Sequence, residues 1–122
     1  MINMTITLET NKRAPSISRQ KLAEFRGELE PRFDDLALVV SELVSNAVRH
    51  SGHGSVFVSL KQTGDNRVRL EVKDPGPCFD PEHPPGGDGM GLQLVSKVAD
   101  SWGIENDGDC TVWVEIDLPG TT

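Results

Sequence analysis

Three stretches of the chain place an aliphatic residue at every second position. Val56, Val58 and Leu60 alternate in the first. Val68, Leu70 and Val72 alternate with Arg67, Arg69, Glu71 and Lys73 in the second. Val112, Val114, Ile116 and Leu118 alternate with Thr111, Trp113, Glu115 and Asp117 in the third. Alternation with period two places every apolar side chain on one face of a strand. Such runs predict a sheet buried on one side and wet on the other, with all helices on the buried side. The chain is thereby constrained to an α/β (α+β) two-layer sandwich with a mostly antiparallel sheet and three helices on one face. Thr63-Gly64-Asp65-Asn66 separates the first two runs and reads as a hairpin turn.

A length of 122 residues fits a single domain with one core, residues 1–122. The net charge of −7 argues against direct nucleic-acid binding and against an anionic membrane surface, both of which attract basic proteins. The chain has no long apolar run, and its polar start, MINMTITLET, has no signal-peptide pattern. Cys78 and Cys110 lie far apart and form no CxxC pair, so they read as core or loop thiols of a reduced, cytoplasmic protein.

A further strand is expected over Met4–Leu8, followed by a loop at Asn11–Pro15. A helix opens at Pro15-Ser16, with Ser16 or Ser18 as its cap, buries Leu22, Phe25 and Leu29, and stops at Pro31. The strongest helix runs from Asp34 to His50, where Leu36, Val39, Val40, Leu43 and Ala47 recur at three- and four-residue steps. A third helix is expected from Gly91 to Trp102, stopped by Gly103. Ile104 then begins a short strand, and Asn106-Asp107-Gly108 turns into the last one.

Beside the apolar face of the central helix, Glu42, Asn46 and Arg49 form a polar stripe. Asn is a poor residue for a helix interior, so its presence there points to a demand from outside the helix. Asp74 ends a strand before Pro75-Gly76, where a carboxylate can accept from an exocyclic amine or simply make a turn. Residues 74–90 are rich in Pro and Gly and longer than an ordinary connection. Gly86, Gly87, Gly89 and Gly91 cluster where the third helix begins, a pattern that suits phosphate or a flexible turn. His50 and His53 have metal-ligand spacing, but no ligand cluster accompanies them.

The segments ELVSNAVRH (42–50), DPGP (74–77) and GMGLQLV (89–95), in that order, resemble the N, G1 and G2 boxes of the GHKL ATPase superfamily. SELVSNAVRHSG and the short lid, about residues 75–90, most resemble the anti-sigma factor serine-protein kinases. The resemblance covers nearly all of the chain from Pro15 onward. It implies a Bergerat-type, histidine-kinase-like fold that binds ATP and Mg²⁺. Asn46 would coordinate the Mg²⁺, and Glu42 would be the catalytic base. Asp74 would bind the adenine amino group, with Gly76 making room for the ring. Gly89, Met90, Gly91 and Leu92 would line the phosphates, and Arg49 and His50 would steady the phosphate or lid side. The partners implied are a sigma factor, an anti-anti-sigma antagonist and a possible second copy of the chain.

The pattern departs from these kinases in three places. Cys78 replaces a second glycine of the G1 box, Met90 replaces a residue that is often basic, and Asp88 stands among the glycines. Two functions are therefore carried forward. One is an anti-sigma factor that phosphorylates a serine on its antagonist. The other is a nucleotide-gated binding module that holds ATP without turnover.

Overall fold

The computed structural model describes residues 2–51, 54–64, 66–75, 90–106 and 108–118, with the backbone alone described at His50, Ser51, Met90, Gly91 and Leu92. The chain runs β1 (Asn3–Glu9), α1 (Ala14–Leu22), a 3₁₀ turn (Ala23–Phe25), α2 (Arg26–Leu29), α3 (Phe33–Ser51), β2 (Ser55–Gln62) and β3 (Arg67–Asp74). It continues through α4 (Met90–Val98), β4 (Ser101–Asn106) and β5 (Cys110–Asp117). The strands form one sheet in the order β1-β2-β3-β5-β4, and every neighbouring pair is antiparallel.

The alternating runs explain the register. Val58 lies opposite Val72, Leu60 opposite Leu70, and Leu70 opposite Val114, all buried on the helix side. Leu36, Val39, Val40, Leu43 and Val44 of α3 close over them, each no more than 2% exposed. The opposite face of the sheet is open and charged. There Arg67 bonds Asp117, Arg69 bonds Glu71, and the Arg69 guanidinium lies 4.5 Å from the centre of the Trp113 ring. No helix among the described residues is long and apolar enough to cross a membrane.

Several local expectations are corrected. The first helix begins at Ala14 after Arg13, with no side-chain cap; Ser18 donates instead to the Pro15 carbonyl within the helix, at 2.6 Å. That helix is also broken by the 3₁₀ turn before α2, which contains the weak helix former Gly27. Glu30 is extended (φ −64°, ψ 146°), as the residue before a proline tends to be.

The third helix ends at Val98 rather than Trp102. Trp102 belongs to β4 and pairs with Val114 on the core side. Gly103 does not stop a helix. It sits in mid-strand, where a β-carbon would lie 2.7 Å from the Trp113 ring, so only glycine lets that indole lie flat against the strand. Cys110 is not a thiol: it is buried at the start of β5 and disulfide-bonded.

Candidate functional site

Antiparallel pairing collects chosen residues at one end of the sheet. Glu9 lies opposite Ser55, Asp74 opposite Cys110, and Cys110 opposite Asn106. α3 feeds β2 at this same end, so its C-terminal half, with Asn46 and Arg49, finishes there. α4 feeds β4 at the far end of the sheet and carries its first turn back toward the site end, about 13 Å along its nine residues.

Gly54 makes the turn from α3 into β2 with φ +83°, a conformation that suits glycine. It packs so near the end of β3 that a β-carbon would lie 3.3 Å from Pro75. The Thr10 hydroxyl donates to the Gly54 carbonyl at 3.3 Å, which ties the end of β1 into the same corner.

The polar stripe of α3 exists as read. Asn46 is 5% exposed, Glu42 is half-buried one turn before it, and Arg49 is exposed one turn after it. Arg49 Nη2 donates to Asn46 Oδ1. A carboxamide brought this close to the core is expensive unless its polar atoms are used. Asp74 is 4% exposed at the end of β3, a carboxylate at the lip of the sheet.

These groups suit the ligands that the resemblance implies. Mg²⁺ prefers oxygen ligands and keeps several waters and phosphate oxygens rather than a full protein cage. Asn46 Oδ1 is one such oxygen. Among the described residues no group of three or more His, Cys, Asp or Glu is arranged for a metal. Gly76, Gly89 and nearly all of the expected lid lie outside the described residues, as do the side chains of His50, Met90 and Leu92.

One feature escaped sequence reasoning. A cleft of about 250 Å³ lies between the β1–α1 connection and α3, lined by Asn11, Lys12, Pro15, Ser45, Val48 and Arg49.

The whole of the chain aligns with a solved structure, that of the RsbU and RsbW domains of Rv1364c from Mycobacterium tuberculosis. The TM-score is 0.77 at 23% identity, and the match spans 34% of that chain, which establishes a shared fold. In sequence the chain is 34% identical over 80 residues to the anti-sigma F factor of Heyndrickxia coagulans, covering 60% of this chain and 54% of that protein. It is 32% identical to the sensor-like histidine kinase SenX3 of Mycobacterium bovis, across 87% of this chain and 31% of the kinase. It thus spans about half the length of the first relative and under a third of the second. The family model for histidine kinase-, DNA gyrase B- and HSP90-like ATPases matches residues 32–122, the stretch that holds α3, Asp74 and α4; the chain belongs to that family.

Proposed function

We propose that the protein is an ATP-Mg-binding anti-sigma factor with serine kinase activity toward an anti-anti-sigma antagonist, working as a single domain in the cytoplasm. The observation that carries this reading is the α3 stripe: Glu42 half-buried and Asn46 nearly buried, one turn apart, at the end of the sheet where Asp74 lies. The similarity to an anti-sigma F factor supports the choice of partners.

In this reading Asp74 accepts a hydrogen bond from the adenine amino group, with Gly76 beside the ring. Gly89, Met90, Gly91 and Leu92 face the phosphates, with Arg49 and His50 on the phosphate or lid side. Asn46 holds Mg²⁺, which supplies charge neutralisation on the phosphates. Glu42 takes the proton of the incoming serine hydroxyl as that oxygen bonds to the γ-phosphorus and the bridging oxygen of ADP leaves. Phosphoryl transfer demands positioning and charge neutralisation above all, and these groups provide both. Met90, in place of a basic residue, favours the second reading, a nucleotide-gated binding module without turnover.

Calorimetry with ATP and GTP tests the nucleotide assignment. A guanine carbonyl facing Asp74 leaves the carboxylate without a donor, at a cost of roughly 1–3 kcal/mol, so ATP should bind about tenfold more tightly. Asp74→Asn should erase most of that preference. Equal affinity of the parent for both nucleotides overturns the placement of Asp74. Labelled ATP mixed with candidate antagonist domains then separates the two readings. Label on an antagonist serine supports the kinase. ATP and sigma-factor binding without any label supports the module.

A further inference from the structure

Arg49 takes part in two environments at once. Its Nη2 donates to Asn46 Oδ1, the oxygen proposed above as the Mg²⁺ ligand. Its side chain also forms one wall of the cleft that holds Lys12. A guanidinium on Oδ1 and a divalent cation on the same oxygen would stand within a few ångströms of each other, and like charges that close repel. Arg49 must leave Asn46 for the metal to arrive.

The cleft is where it can go. Several other cations of this chain are paired: Arg32 with Asp35, Arg67 with Asp117, Arg69 with Glu71 and Lys73 with Asp109. Lys12 and Arg49 form no ion pair among the described residues, in a chain of net charge −7. Between them lie the apolar surfaces of Pro15 and Val48, with the polar side chains of Asn11 and Ser45 alongside. Two cations that lack an ion pair among the described residues, set over an apolar floor, suit a carboxylate on a methylene stem. A bare phosphate satisfies the cations but leaves the floor uncovered.

We infer that a glutamate or aspartate side chain of a docked protein partner enters this cleft, draws Arg49 away from Asn46 and so raises the affinity of the site for Mg²⁺-nucleotide. Because coupling between two binding events is reciprocal, Mg²⁺-nucleotide raises the affinity for the acidic partner by the same factor. The inference rests on Asn46 as the metal ligand.

The readout is the Mg²⁺-dependent gain, the ratio of ATP affinities with magnesium and with chelator, measured by calorimetry. Arg49→Met removes the competing donor and should raise that gain by about tenfold or more, the equivalent of one charge-assisted hydrogen bond. An end-blocked tripeptide with a glutamate between two leucines, at millimolar concentration, should raise the gain of the parent severalfold. It should leave the gain of Arg49→Met unchanged. Lys12→Met should keep the parent's gain without peptide and lose most of the response to it.

A parent-like gain in Arg49→Met overturns the displacement of Arg49. A glutamine tripeptide or inorganic phosphate that works as well as the glutamate tripeptide overturns the acidic-partner assignment, as does a glutamate tripeptide with no effect. A different pattern marks failure of the site itself. If neither parent nor Arg49→Met shows any Mg²⁺ dependence while both bind ATP, Asn46 is not a metal ligand, and the inference falls with it.

Discussion

The two ends of the sheet are built in opposite ways. At one end, polar groups close on one another. Arg32 donates to the Val98 carbonyl at 2.8 Å, to the Asp117 carbonyl at 3.2 Å and to Asp35 at 2.9 Å, joining the approach to α3, the end of α4 and the end of β5. The Asp117 N–H donates to Asp100 at 2.6 Å, and Arg67 holds the Asp117 carboxylate at 2.7 Å. At the other end lie Asn46, Arg49 and Asp74, where the bond from Arg49 to Asn46 joins neighbours on one helix and ties no two elements together. Polar groups that satisfy each other across elements make a clasp. Polar groups gathered at an edge, where the bond between Arg49 and Asn46 stays within one helix, can serve as a site, and the clasp supplies the rigidity that lets them wait there.

Glu42→Ala probes this contrast with the largest effect. If the site end does chemistry and the clasp end holds shape, the variant loses phosphorylation of the antagonist by roughly 10²–10⁴-fold. It should keep ATP binding and the melting temperature of the parent. A variant that phosphorylates at the parental rate places the base elsewhere.

Arg32→Met should do the reverse. Losing two bonds to main-chain carbonyls and one ion pair, it is expected to cost about 1–3 kcal/mol, seen as a fall of several degrees in thermal unfolding. The preference for ATP over GTP should survive. If that preference collapses along with stability, the two ends are not separable.

The smallest effect concerns pH. The hydrogen bond from Arg67, aided by its charge and that of Arg32, holds the Asp117 carboxyl below its ordinary value of 3.8 against the opposing effect of desolvation. A carboxyl lowered in the folded state stabilises fully above its unfolded value. That contribution is lost as pH falls through the lower, folded value. Asp117→Asn should therefore flatten the loss of melting temperature below about pH 4 and leave the trend near pH 7 as it was. An unchanged acid limb would show that Asp117 titrates alike in both states.

The residues themselves explain how much of this was legible beforehand. The central helix was expected over 34–50 and spans Phe33–Ser51, because its apolar period and its length agree with its burial. The sheet followed from the alternation. The third helix overran because Ala99 and Trp102 satisfy helical spacing, while Trp102 and Ile104 also satisfy strand spacing; pairing of Trp102 with Val114 and Ile104 with Val112 decides in favour of the strand. Only tertiary structure carries that information.

In the site, Asn46 stood out as a poor residue for a helix interior and Asp74 as a carboxylate ending a strand before Pro75-Gly76; both are buried. The cleft was not legible, since it joins residue 12 to residue 49 across the fold with no local pattern to mark it. Gly76 and Gly89 fall outside the described residues, so for them the sequence reading stands alone.

The sheet order has a consequence for how the molecule opens. β2 with β3, and β4 with β5, are two hairpins of local pairing, and they meet along a single seam, β3 against β5. The seam closes a far longer loop than either hairpin turn does. Asp74 and Cys110 face each other at its last register position. An excursion that unzips this seam leaves both hairpins whole yet dismantles the adenine end of the site. A nucleotide held by Asp74 would bind only the zipped form and would favour it by mass action, by about 2.7 kcal/mol at a hundred times its dissociation constant. Amide protons along β3 and β5 would then exchange more slowly in step with nucleotide occupancy, so this seam would report ligand through protection from exchange.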